Sequence, residues 1–124
     1  MTKTVHIYAM GSCNALLREG FARVLIERDN QEIPLTFHYQ YTALKRSLIQ
    51  GLIDGVLQLD EPCHVVLVTL SRLALEKAAV GEGPNRDLIY ELYEVLSAPS
   101  CTYSFDFREG QGTALSKYIM GNSR

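Results

Sequence analysis

The chain lacks any apolar run long enough to cross a bilayer, which needs about 20 consecutive residues. No such run follows the lysine near its N-terminus, so neither a secretory leader nor a membrane anchor is expected. Cysteine is sparse and odd in number: Cys13, Cys63 and Cys101. They fall in or beside expected strands, which predicts free thiols rather than a disulfide framework and fits a reducing cytoplasm. Cys-x-x-Cys spacing is missing, and with it the usual structural zinc reading. His6, His38 and His64 show no metal-ligand spacing to one another and read as structural strand residues. No nucleophile elbow, phosphate loop or dinucleotide fingerprint is present. Gly110-Gln111-Gly112 is too short and follows no suitable strand-to-helix unit. An excess of positive charge is also absent. The formal net charge is -2, and a protein that grips a polyanion needs a basic surface to release its counterions.

What is present is enough apolar material for one hydrophobic core: 47% of the 124 residues. That argues against disorder and for a single domain over 1–124, with no linker, repeat or low-complexity stretch. Residues 4 to 10 predict a strand. A loop through Gly20 leads to a second strand around Phe21 to Glu27. The run Arg28-Asp29-Asn30-Gln31-Glu32 has turn chemistry, so a hairpin into a third strand, Leu35 to Tyr41, follows. Thr42 is the expected cap of a first helix whose apolar stripe is Leu44, Leu48, Ile49, Leu52, Ile53, Val56 and Leu57. Val65 to Val68 is the near-continuous apolar run of a central strand covered on both faces. Ser71 predicts the cap of a short helix to Ala79, and Gly81 to Pro84 a loop. Asn85 is expected to cap a helix carrying Leu88, Ile89, Leu92, Tyr93 and Leu96. Tyr103, Phe105 and Phe107 then alternate with Ser104, Asp106 and Arg108 as a last strand, and a short helix spans Ala114 to Met120.

Several short motifs stand within this frame. They are Tyr8-Ala9-Met10-Gly11-Ser12-Cys13 on the first strand, Thr42-Ala43-Leu44-Lys45-Arg46-Ser47-Leu48-Ile49 at the first helix and Thr69-Leu70-Ser71 after the central strand. Asn85-Arg86-Asp87-Leu88-Ile89 and the segment from Tyr103 to Gly112 follow. In order and spacing they resemble type 1 ribonuclease H. The resemblance implies an α/β fold with a mixed five-stranded sheet, strands 1–3 antiparallel and the others parallel, flanked by helices. It also implies two Mg²⁺ ions held by carboxylates at the end of strand one, in helix one and at the end of strand four, for phosphodiester hydrolysis.

In this chain those positions read Met10, Leu48 and Leu70. A fourth carboxylate would fall near Ser116 or Lys117, and Gly110 stands near the family's histidine. None of the three apolar side chains can hold a hard cation, so no metal, no cofactor and no catalytic residue is expected, and the chain reads as not an enzyme. The family's glycine-rich loop is replaced by Asn14-Ala15-Leu16-Leu17-Arg18-Glu19-Gly20, and Leu44 stands at a substrate-contacting asparagine, which puts 2′-hydroxyl recognition in doubt. The basic, tryptophan-containing insertion of some family members is missing, as the chain has no Trp and runs directly from Ala79 to Asn85.

Two readings of Met10, Leu48 and Leu70 stay open: an extension of the core, or an apolar patch that marks a partner surface. The expected function is a catalytically inactive ribonuclease H-like domain acting through a protein partner or self-association, as a scaffold module. An inactive nucleic-acid-binding module, with Arg18, Arg23, Lys45 and Arg46 as its basic residues, is the alternative, and a hybrid nuclease with a displaced metal site comes third. Asp54, Asp87, Asp106 and Glu109 offer no convergence for such a site. Neither a membrane nor a small-molecule substrate is indicated.

Overall fold

A computed structural model describes residues 3–14, 16–40, 42–70, 85–98 and 101–121. Three long strands come first: β1 (Thr4–Asn14), β2 (Glu19–Arg28) and β3 (Gln31–Gln40). Helix α1 (Leu44–Val56), strand β4 (His64–Thr69), helix α2 (Arg86–Ser97), strand β5 (Thr102–Phe107) and helix α3 (Gly112–Gly121) follow. The five strands form one sheet in the order β3-β2-β1-β4-β5, with β1, β2 and β3 antiparallel and β1, β4 and β5 parallel. This is the ribonuclease H-like arrangement that the resemblance implied. The helix expected from Ser71 to Ala79 and the loop at 81–84 lie outside the described residues.

The hairpins are tighter than the sequence reading expected. β1 continues through Met10 to Asn14 and pairs with β2 from Glu19, so the expected loop through Gly20 is a short turn with Gly20 opposite Cys13. The Asn14 side-chain oxygen accepts from the backbone N–H of Leu16 (3.1 Å) and Leu17 (3.3 Å), closing that turn. The second turn needs only Asp29 and Asn30, both at positive φ (52° and 61°). Asp and Asn tolerate this conformation, whose twist matches that of the flanking strands. β3 therefore begins at Gln31 rather than Leu35.

Alternation along each strand builds two cores. Val5, Ile7, Ala9, Ala22, Val24, Ile26, Val65 and Leu67 face α1 and α2 and meet Leu48, Ile49, Leu52, Ile53, Leu88, Ile89 and Leu92 there. Tyr8, Leu25 and Val68 face the other way and are covered by Leu115 and Ile119 of α3. Close approach of α1 to the sheet demands glycine at Gly11, where a Cβ would lie 2.5 Å from Ser47 Oγ and 2.7 Å from the Leu44 carbonyl oxygen. Burial of this apolar area supplies the driving force that fixes the helices on their faces.

Of the two expected caps, Thr42 is displaced, and Asn85 keeps the N-cap position without a side-chain capping bond. Ala43, not Thr42, occupies the N-cap of α1, and the Thr42 hydroxyl instead donates to Gln50 Oε1 at 2.8 Å. Thr42 is buried, so its hydroxyl is satisfied by a side chain about two turns into the helix rather than by a helix N–H. No helix of the described residues is long and apolar enough to cross a membrane.

Candidate functional site

Because β1 and β4 are parallel neighbours, their C-terminal ends lie side by side, with Tyr8 opposite Val68. The first turn of α1 settles over these ends. The result is a groove of about 270 Å³ lined by Ala9, Met10 and Gly11 from β1, Leu44, Lys45 and Leu48 from α1, and Thr69 and Leu70 from the end of β4. Met10, Leu48 and Leu70, which are distant in sequence, are thus brought together.

Their environments differ. Leu48 is buried at 6% exposure among the α1-side core residues, whereas Met10 and Leu70 are half-buried against the core beneath α3. Leu44, one helical turn before Leu48, is 57% exposed and forms the apolar rim of the groove. A smaller hollow shares Met10 and Gly11 and adds Ser12, Phe21, Arg23, Ser116, Ile119 and Met120. Ser116, rather than the exposed Lys117, is the α3 residue beside Met10. Thr69 is fully buried, and among the described residues its hydroxyl has no hydrogen-bond partner.

Mg²⁺ is the ion the fold family implies. It takes oxygen ligands in near-octahedral geometry, and among the described residues the lining of the two hollows presents no carboxylate. The side chains here do not fit a magnesium site. Among the described residues no group of three or more His, Cys, Asp or Glu is arranged to hold any metal ion. Three of the acids considered for a relocated site are engaged on different elements. Asp54 accepts from the Tyr39 hydroxyl at 2.6 Å, Asp87 accepts from Arg46, and Asp106 accepts from Arg108 at 3.1 Å.

The four basic candidates do not form one patch. Lys45 lines the groove, and Arg23 lines the adjoining hollow with its guanidinium carbon 5.3 Å from the Phe21 ring centroid. Arg46 turns away to make two bonds to Asp87 of α2, at 3.1 and 3.0 Å. That pairing holds the Asp87 carboxyl below its ordinary range and raises Arg46 further. Arg18 sits in the β1–β2 turn at positive φ. The basic reading thus narrows to Arg23 and Lys45.

Leu44, Phe21 and Thr69 were missed as members of one surface. The signal for Leu44 was available, since residues four apart on a helix share a face and Leu48 was already placed. Phe21 carried a similar signal, as alternation on β2 sets it beside Arg23. Nothing in the sequence marks Thr69 as a buried, unpaired hydroxyl.

No family model matches the chain. Over 71 residues it is 32% identical to a protein named Ribonuclease H from Idiomarina loihiensis, an alignment that covers 57% of this chain and 45% of that relative. The chain thus spans less than half the length of the relative it matches. The match supports a ribonuclease H-like relationship, in agreement with the strand order.

Proposed function

We propose that this chain is a ribonuclease H-like domain that does not hydrolyse nucleic acid and acts through protein contacts, as a scaffold or assembly module. The observation that carries the reading is the groove itself. Met10, Leu48 and Leu70 converge where the fold family implies metal-binding carboxylates, and Leu44 extends them to the surface. Clustered carboxylates without a metal repel one another and cost desolvation energy, so apolar residues at this junction suit a domain released from metal binding. A partly exposed apolar groove with an exposed leucine at its rim suits a partner surface.

The test has two arms. Incubated with an RNA–DNA hybrid and Mg²⁺, the pure chain should leave the hybrid intact, while ion-dependent cleavage would overturn the reading. In the second arm, sedimentation and nuclease-treated pull-down should reveal self-association or a bound protein that Leu70→Asp abolishes. The variant's circular dichroism spectrum should match the parent's, because Leu70 is only half-buried. Association that survives Leu70→Asp would remove the groove from the interface.

A second reading draws on Arg23, stacked over Phe21, and on Lys45. Both lie beside Met10 and suit an inactive nucleic-acid-binding module. The chain's net charge of -2 weighs against it.

A further inference from the structure

At the opposite end of the sheet from the groove, β4 and β5 start side by side. Their register sets His64 opposite Thr102, and the Thr102 N–H bonds to the Cys63 carbonyl oxygen at 3.1 Å. One step earlier stand Cys63 and Cys101, whose sulfurs are 3.6 Å apart. Neighbouring strands run about 4.8 Å apart, a spacing inside the Cα–Cα range of roughly 4.4–6.8 Å that a disulfide tolerates. The sulfurs must close by about 1.5 Å to reach bonding distance.

The two thiols differ in access. Cys63 is buried at 2% exposure, whereas Cys101 is partly exposed and its sulfur also lies 3.9 Å from the Glu61 carbonyl oxygen. Burial, then the hydrogen bond with Cys101, pushes the Cys63 thiol up to about 12, so in the reduced chain it stays protonated. Cys13 lies near the far end of β1, about 30 Å along the strand direction from the β4 start, and its thiol donates to the Thr42 carbonyl oxygen at 3.5 Å.

We propose that Cys63 and Cys101 are a redox-responsive dithiol that closes to an intrachain disulfide under a peroxide, pinning the edge strand β5 to β4. The partly exposed Cys101 sulfur takes one oxygen from hydrogen peroxide. The O–O bond breaks, a sulfenic acid forms and the first water leaves with the thiol proton. The Cys63 sulfur then attacks the Cys101 sulfur. The S–O bond breaks, the S–S bond forms, and the departing hydroxide leaves as the second water with the Cys63 proton. Two thiols lose two electrons and one peroxide gains them. The bond would close the long segment from β4 through α2 to β5, which restricts the unfolded chain.

The experiment treats the native chain with a small excess of hydrogen peroxide, quenches it, denatures and alkylates it, and maps the peptides by mass. The expected result is a linked Cys63–Cys101 peptide pair, an alkylated Cys13, and free thiols falling from three to one. The non-reduced protein should melt roughly 5–15 °C above its reduced form. Cys13→Ser should keep the linked pair and Cys101→Ser should lose it. Three alkylated thiols after peroxide, a sulfinic acid on Cys101 beside an alkylated Cys63, or disulfides through Cys13 would each overturn the proposal.

Discussion

Tyr39 shows how one side chain ties a strand to a helix and sets a pH limit. Its hydroxyl donates to Asp54 of α1 at 2.6 Å from a half-buried position on β3. Burial first, and the Asp54 carboxylate second, raise this phenol well above its ordinary value of 10.0, because ionising it would place an anion in a poorly solvated site beside another anion. A group whose folded pKa lies above its unfolded one contributes stability that is fully present below the unfolded value. That contribution is lost as pH climbs from about 10 toward the folded value. Urea midpoints followed from about pH 9 to about pH 11 should fall in the parent and fall less steeply in Tyr39→Phe. The variant should start about 1 kcal/mol lower at neutral pH for loss of the hydrogen bond. Equal slopes in both proteins would show that Tyr39 is not a source of the alkaline loss. Tyr8 shares the direction of shift, again with burial as the main cause, so the slope of the variant should not reach zero.

Among the described helices, the shortest, α3, covers a whole face of the sheet. Leu115 and Ile119 close the sheet face that holds Tyr8, Leu25 and Val68, and the Tyr118 hydroxyl donates to Glu27 of β2. Ile119 is 2% exposed while Met120 is 45% exposed, so Ile119→Ala should cost about 2–5 kcal/mol and Met120→Ala within about 0.5 kcal/mol. Denaturant midpoints at unchanged slope check both. Equal effects would mean that α3 does not pack as a lid. The existence and order of the elements were legible because each has a strong period: alternation on the strands, and Leu44, Leu48, Leu52 on α1. The ends were not. β1 runs on to Asn14 because its last residues pair with β2, a tertiary gain that no local pattern encodes, and Thr42 gives up its cap because Gln50 offers a buried partner. At the site, the convergence of Met10, Leu48 and Leu70 was legible only through the resemblance. The division between a buried Leu48 and a half-exposed Met10 and Leu70 depends on which helix covers which sheet face.

For the whole molecule, the quantity that separates the two readings is how many phosphates the basic candidates can neutralise. Two of the four basic candidates border the groove and its neighbouring hollow, Arg46 is committed to Asp87, and Arg18 sits away in a turn. Each phosphate neutralised contributes about -0.9 to the slope of log affinity against log salt, so contacts from Arg23 and Lys45 alone would give a slope of about -2 and little affinity at physiological ionic strength. The net charge of -2 adds a repulsive background. A labelled RNA–DNA hybrid titrated with the pure chain in Mg²⁺ should therefore show no anisotropy change at moderate salt and a weak rise at low salt. That rise should vanish when Arg23→Ala and Lys45→Ala are combined. Tight binding with a slope steeper than about -4 would require phosphate contacts well beyond these two residues, and would replace the protein-contact reading with that of a nucleic-acid-binding domain. Tight binding insensitive to salt would instead point to base stacking, with Phe21 as the first residue to change.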